Sequence, residues 1–288
     1  AFYSAWIEQL FDAPLDANMS FASLEPVLRD PARNFLHDHL QRGEDGTVAA
    51  TPDCADLPYF LRTYFACKIG LPVSYRTCGR GSSNSPPRCG QSTLLDALQH
   101  GHAPLATFKT VINQVINGVH SGSARTRLRD DATDFYPLPL QREALWPGTV
   151  YADPYGHTLM VVKWVPQSAD QSGLLLAVDA QPDNSVARKR FWEGTFLFAN
   201  DVASAGPGFK AFRPFVAVRG ERGEKPLSIS ASNAALVDAT LPYSAQQANL
   251  SRDEFYASMG KLINPAGLDP KLAYTAMLEA LAEQLSTR

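Results

Sequence analysis

The spacing of apolar residues changes at about residue 149, and this change limits the possible folds more than any other feature of the chain. Before it, apolar residues recur every three or four positions, as they do in amphipathic helices. After it, short runs of β-branched and aromatic residues alternate with turns that contain Gly, Pro and Asp. Helical spacing returns towards the C-terminus. Helices, then a sheet, then helices predict an α+β fold.

These patterns also predict where the regular segments lie. Helices are expected at 4–11, 21–40, 54–69, 92–99, 103–118, 251–262 and 270–286, with a break or kink at Pro31. Strands are expected at 149–152, 158–165 and 174–178, with further strands at 195–199 and 214–218. The stretches 78–90 and 121–145 are expected to be irregular.

Composition excludes several classes of protein. Hydrophobic residues make up 45% of the 288, which is enough for a substantial core and argues against a disordered chain. The net charge of −3 is too balanced for binding nucleic acid through bulk charge, so we expect no nucleic-acid partner. No apolar run approaches the roughly 18 residues of a membrane-spanning helix, so we expect no integral membrane segment.

All four cysteines fall within 36 consecutive residues, at positions 54, 67, 78 and 89. Cys54 stands where the run 54–69 begins, directly after Asp53 as the expected helix cap. Unpaired N–H groups and the helix dipole give that end a positive potential, which favours thiolate over thiol. Taken alone, a helical cysteine is most often a small buried apolar residue, and we expect this of Cys67. Cys54 is a candidate nucleophile because partners for it occur downstream.

The candidate base and the residue that orients it are His157 and Asp179. Of six histidines, only His157 enters the predicted sheet, directly after a turn. Asp179 ends the next strand, where antiparallel pairing would bring its carboxylate beside the imidazole and stabilise the imidazolium form. The other histidines, at 37, 39, 100, 102 and 120, are expected on the surface or in helix caps. Since no C-x-x-C pair is present, we expect no metal and no cofactor.

At these positions the sequence resembles the papain-like cysteine hydrolases, and within them the NlpC-type cell-wall peptidases. The stretch Asp53-Cys54-Ala55-Asp56-Leu57, followed by Gly70-Leu71-Pro72, is similar to the nucleophile helix of that family. The strand before its histidine is similar to Leu145-Trp146-Pro147-Gly148-Thr149-Val150. The family usually has Ser-Gly in place of Ala55-Asp56, Asp in place of Thr149, and a much shorter segment between the two motifs.

The resemblance implies a papain-like core, in which the nucleophile-bearing helix packs on an antiparallel sheet, with helical N-terminal and C-terminal additions. It implies a cysteine peptidase or amidase with Cys54 as nucleophile, His157 as base and Asp179 as third polar residue. Peptidoglycan stem peptides are the implied substrate. The expected domains are a helical extension at 1–50, a catalytic core at 51–200 with a helical insertion near 73–145, and a C-terminal part at 201–288 packed on the same domain.

Further residues are candidates for substrate binding or for a covalent bond. Those for substrate binding are Asp53, Asp56, Tyr155 and Trp192. Cys78 and Cys89 bracket a loop rich in Gly, Ser and Pro, and a disulfide between them would stabilise the fold by roughly 3 kcal/mol. Such bonds persist in oxidising compartments, and the sequence begins without Met, so we expect a periplasmic or secreted protein. The alternative is a cytosolic protein with four reduced thiols.

Two other functions remain open. The order Cys, His, Asp also fits transglutaminase-like acyl transferases. A non-catalytic binding module on the same fold is supported by Ala55-Asp56 and by the long insertion. The basic stretches around Arg127 and Arg188 are expected to be solvated loops, or else sites that recognise an anionic glycan or a peptide carboxylate.

Overall fold

The computed structural model describes residues 1–95, 105–200, 205–218 and 227–286. Its helices within those ranges are α1 (Phe2–Leu10), α2 (Glu25–Leu28), α3 (Asp56–Lys68), α4 (Leu105–Gly118), α5 (Ser121–Ala124), α6 (Asn233–Asp238), α7 (Arg252–Ile263) and α8 (Pro270–Ser286). Its strands there are β1 (Ser20–Phe21), β2 (Val73–Cys78), β3 (Cys89–Leu95), β4 (Phe135–Pro137), β5 (Val150–Ala152), β6 (Thr158–Val165), β7 (Leu174–Ala180), β8 (Val186–Arg190), β9 (Gly208–Phe212), β10 (Phe215–Val218) and β11 (Leu227–Ser230). The predicted α+β class is confirmed at this level.

The main sheet is antiparallel, and β6 and β7 lie at its centre. Its order in the described part of the chain is β1–β8–β7–β6–β5–β9–β4. Met160 pairs with Val178 and Val165 pairs with Leu174, so β6 and β7 form a hairpin. Because the two strands run in opposite directions, the start of β6 and the end of β7 meet at the same edge of the sheet. The strands predicted at 149–152, 158–165 and 174–178 are confirmed as β5, β6 and β7.

Both faces of this sheet are covered, which explains why its central strands are apolar throughout. Side chains alternate between the faces of a strand, so Met160 packs with α3 on one face while Leu159 packs on the other. The first face also holds Trp6 of α1, whose ring stacks on Tyr64 of α3 at 5.5 Å between centroids. The second face is covered by α7 through Phe255. Segments from both ends of the chain therefore share cores with the sheet.

A second hairpin, formed by β2 and β3, carries the disulfide. Cys78, the last residue of β2, faces Cys89, the first residue of β3, where the two strands meet the loop that connects them. The two cysteines form a disulfide, the pairing that the sequence predicts. The helix predicted at 92–99 is wrong over residues 92–95, which belong to β3. Residues 96–99 lie outside the described residues. Pairing with β2 overrides the local helical spacing there, because tertiary contacts outweigh weak propensities.

The long helix predicted at 21–40 is also wrong. The chain forms only the short β1 and the single turn of α2, followed by further turns. Pro31 cannot continue a helix, and the buried amide of Asn34 donates instead to the Leu28 carbonyl (2.7 Å) that α2 leaves open. The same amide donates to the Tyr64 hydroxyl (2.8 Å), which fastens this segment to α3. Hydrogen bonds from the buried Asn34 side chain therefore fix this segment, in place of the helix that the local pattern predicts.

Other predicted segments differ in smaller ways. No strand forms at 195–199, where Phe196 and Phe198 are buried among aromatic rings instead of paired in a ladder. The irregular stretch 121–145 contains α5 and β4. Arg188 is not in a solvated loop: it lies in β8, almost fully buried, and its guanidinium donates to the Leu15 and Ala17 carbonyls (2.9 and 2.8 Å). It therefore holds an N-terminal loop to the sheet.

Candidate active site

Cys54 lies in the first turn that leads into α3, at the edge of the sheet where β6 begins. The Asp53 carboxylate accepts from the backbone N–H groups of Ala55 (2.8 Å) and Asp56 (3.0 Å), and the Asp53 carbonyl accepts from Leu57 (2.9 Å). Asp53 thus caps the turn that leads into α3, which begins two residues later than the predicted helix start at Cys54. The Thr158 hydroxyl donates to the Cys54 carbonyl, which ties this turn to the first residue of β6. Cys54 is a half-buried free thiol.

His157 is presented by a tight turn that a buried carboxylate organises. Asp153 Oδ1 accepts from the backbone N–H groups of Tyr155 (2.7 Å), Gly156 (2.7 Å) and His157 (2.9 Å). Gly156 has φ +111°, a conformation that residues with a Cβ rarely adopt. We did not predict a role for Asp153. The sequence Asp-Pro-Tyr-Gly before His157 was a usable signal, because Asp commonly caps its own turn in this way.

Asp179 meets His157 through the β6–β7 pairing. His157 Nε2 donates to Asp179 Oδ2 at 3.0 Å. The same oxygen accepts from Gln181 Nε2 at 2.7 Å, and Lys189 Nζ lies 4.0 Å from the other oxygen. Two donors on one oxygen fix the orientation of the carboxylate. The sequence pointed to Asp179 but not to Gln181, which lies two residues further on.

The electrostatics of the three side chains favour a charged imidazole. Burial lowers the pKa of His157, but hydrogen bonds and charge attraction to Asp179 and Cys54 outweigh burial and raise that pKa to about 10. Cys54 lies beside His157, because the Cys54 carbonyl accepts from the hydroxyl of Thr158, the residue after His157, while Asp179 takes Nε2. A protonated imidazole beside a cysteine sulfur is the arrangement of an activated thiolate nucleophile.

The structure brings three of the four predicted substrate-binding residues to the region of Cys54 and His157. Asp53 serves as the helix cap. Asp56, two residues after Cys54, is half-buried, and burial together with the Asp53 charge raises its pKa to about 7. Tyr155 is adjacent in the turn and 69% exposed, so its ring is available for contact.

Trp192 lies elsewhere. Asp179 pairs with Ala187, whereas the Phe191 N–H donates to the carbonyl of Leu175, four residues back along β7. At about 3.3 Å per residue this places Trp192 roughly 13 Å or more from Asp179. Glu193, the next residue, pairs with Arg252 of α7. Trp192 is thus away from the catalytic residues, and its predicted part in substrate binding stays a prediction.

Cys67 and His120 take the positions predicted for them, whereas two other histidines lie outside the described residues. Cys67 is buried in the core, and burial raises its pKa to about 12, so it is a poor nucleophile. His120 caps α5, accepting from the Gly122 N–H at 2.9 Å. His100 and His102 lie outside the described residues.

In the described residues no cluster of three or more His, Cys, Asp or Glu side chains is suited to hold a metal ion. Across the same residues, none of the helices has the length and apolar character needed to span a bilayer.

A cavity of about 760 Å³ lies between α8 and the start of β7, and Cys54, His157 and Asp179 do not line it. The candidate site is at the surface, with the His157 side chain 29% exposed.

Comparison of the chain with protein-family models, curated proteins and solved structures finds no match.

Proposed function

We propose that the protein is a cysteine-nucleophile amide hydrolase, a peptidase or amidase with a papain-like core. Cys54 is the nucleophile, His157 the acid and base, and Asp179 the residue that orients His157. The observation that carries the proposal is the arrangement of His157 between Asp179, 3.0 Å from Nε2, and Cys54, whose carbonyl accepts from the hydroxyl of the adjacent Thr158. Each residue comes from a different element, and the three meet at one edge of the sheet.

The chemistry follows from this arrangement. The Cys54 thiolate attacks the amide carbonyl carbon, and the developing oxyanion is met by the Cys54 N–H in the first turn of the helix, where backbone donors have no intrahelical acceptor. His157 gives its proton to the leaving amine, and a thioester remains. Water then attacks the thioester as His157 takes a proton, the carboxylic acid leaves, and the thiolate–imidazolium pair is restored. Asp179 holds the imidazole in position throughout.

The substrate class that we propose is the peptide of peptidoglycan. The resemblance of the Cys54 and His157 segments to NlpC-type cell-wall peptidases supports it. The Cys78–Cys89 disulfide supports a periplasmic or secreted location, because such bonds persist in oxidising compartments. The exposed position of the site supports a polymeric substrate, since a surface site is open to a chain that continues on both sides.

Purified sacculi test this proposal. We expect the protein to release new amino and carboxyl termini from stem peptides, detected by mass spectrometry, and Cys54→Ser and His157→Ala to abolish the release. Cys67→Ser is the matched control, because it removes a thiol from the same helix away from His157. Transfer of an amine donor without hydrolysis would instead indicate a transglutaminase-like acyl transferase. Binding of sacculi without bond cleavage would indicate a non-catalytic module.

A further inference from the structure

We infer that the hairpin closed by the Cys78–Cys89 disulfide acts through His120 and α5 to position His157, so that the reactivity of Cys54 depends on this disulfide. The inference rests on the proposed function, in which Cys54 and His157 are the reacting pair. It also gives a structural role to part of the long insertion that separates the two motifs. The evidence is a series of contacts that runs without interruption from the disulfide to the turn before His157.

His120 makes the first contact in this series. Its Nε2 donates to the carbonyl of Cys78 at 2.7 Å, and its Nδ1 accepts from the Gly122 N–H at 2.9 Å. Both ring nitrogens are therefore used by backbone groups, one on the hairpin and one on α5. An alanine at this position would remove both hydrogen bonds at once.

Close backbone packing makes the second contact. A Cβ on Gly122 would lie 2.5 Å from the carbonyl oxygen of Gly79, the residue after Cys78. Such a distance is well inside van der Waals contact, so α5 rests directly on the end of the hairpin. Because no free space separates them, a shift of Gly79 towards α5 displaces α5.

The other side of α5 contacts the turn that carries His157. A Cβ on Gly156 would lie 3.1 Å from Ser121 Cβ and 3.3 Å from Arg125 Nη1. Gly156 immediately precedes His157, and both N–H groups are held by Asp153. A displacement of α5 is therefore transmitted to the residue next to the catalytic imidazole.

The far end of α5 is fixed independently of the hairpin. The fully buried Lys210 of β9 donates to the carbonyls of Ala124 (2.5 Å) and Thr126 (2.9 Å). Because this end is held by the main sheet, loosening the hairpin should tilt α5 instead of releasing it. The expected effect is a change in the position of His157 in a protein that remains folded.

Reduction of the disulfide is the chemical event that would loosen the hairpin. A dithiol supplies two electrons and two protons, Cys78 and Cys89 become thiols, and the dithiol becomes a cyclic disulfide. The ends of β2 and β3 then lose their cross-link and stay connected only through the backbone of the loop 79–88. The Cys78 carbonyl, which accepts from His120, is at one of these ends.

The test compares three full-length variants with the oxidised wild type. Cys78→Ser/Cys89→Ser removes the disulfide, His120→Ala removes the link to α5, and His39→Ala is the matched control, since His39 is exposed in the N-terminal segment. One readout is the titration of the His157 imidazole by NMR. The other is the rate of Cys54 alkylation by iodoacetamide at pH 6, followed by mass spectrometry.

We expect the His157 titration midpoint to fall by about one pH unit and the alkylation to slow about tenfold in both the serine pair and His120→Ala. Combining the two changes should add little, because they interrupt the same series of contacts. If the serine pair does not fold, His120→Ala with its disulfide intact carries the test. A wild-type midpoint and rate in a folded variant would overturn the inference. The NMR titration decides this even if Cys54 proves unreactive, an outcome that would count against the proposed function alone.

Discussion

The central residue of the account is His157, because its charge state decides what Cys54 can do. Burial alone would favour the neutral imidazole, whereas Asp179 and the Cys54 sulfur favour the charged form and raise the pKa of His157 to about 10. The imidazolium is therefore the main form at neutral pH, and in the proposed mechanism it supplies the proton that the leaving amine needs. Gln181 contributes by holding the carboxylate oxygen that His157 uses.

Asp179→Asn should change both the rate and the pH dependence of amide hydrolysis. Loss of the negative charge lowers the pKa of His157 from about 10 towards its ordinary value near 6.5. Hydrolysis needs the imidazolium, so its decline at alkaline pH should begin at lower pH in the variant, and the rate at neutral pH should fall about a hundredfold. A pH–rate profile of both proteins measures this. An unchanged alkaline limit would show that Asp179 does not set the charge of His157.

Two local elements deliver the reacting groups: the start of α3 and the turn before β6. Each is organised by an aspartate that accepts from consecutive backbone N–H groups, Asp53 for the helix and Asp153 for the turn. The Thr158 hydroxyl joins the two elements through the Cys54 carbonyl. Short-range capping thus fixes the local shape of both segments that carry the proposed catalytic pair.

Asp153→Ala should impair catalysis more than it impairs folding. Three backbone donors lose their acceptor, and we expect hydrolysis to fall roughly a hundredfold, as misplaced catalytic groups commonly cause. The expected loss of stability is about 1–3 kcal/mol, measured by urea unfolding. Asp269→Ala is the matched control, because Asp269 caps α8 with two similar hydrogen bonds far from the site. Equal activity of the two variants would contradict this role of the turn.

The sequence predicted those features that depend on neighbours along the chain. Asp53 as helix cap and the hairpin that joins His157 to Asp179 follow from local periodicity and from turns a few residues long. β3 was missed because its pairing with β2 and the disulfide override local helical spacing. The role of Gln181 could not be predicted, because its hydrogen bond depends on the side-chain conformation of Asp179 in β7.

The described part of the molecule is held together by cores that cross the predicted domain limits, and a buried charged cluster around Lys68 adds to them. Lys68 of α3, fully buried, contacts the carboxylates of Glu44 and Asp45, and the Tyr64 hydroxyl donates to Asp45. Burial raises the pKa of Glu44, but the hydrogen bond from Lys68 and backbone donors outweigh burial and lower that pKa to about 2. These partners lie more than twenty residues from Lys68, so no local pattern revealed them.

Lys68→Met should destabilise the fold strongly, because it leaves two buried carboxylates without their cation. Removing one partner of a buried ion pair costs about 3–5 kcal/mol. Lys163→Met, which breaks the solvent-exposed pair with Asp12, should cost at most about 1 kcal/mol. Urea unfolding of both variants makes the comparison. Similar losses would mean that the cluster does not hold the N-terminal segment to α3.

The most direct test of the catalytic pair is the relative reactivity of Cys54 and Cys67 towards iodoacetamide at pH 6, measured by mass spectrometry of the two peptides. The two thiols share a helix region, but Cys54 lies beside His157 whereas Cys67 is buried in the core. We predict that Cys54 reacts at least a hundredfold faster and that His157→Ala removes most of this advantage, because an unpaired thiol is largely protonated at this pH. A Cys54 that reacts no faster than Cys67, or whose rate is unchanged by His157→Ala, would contradict the account.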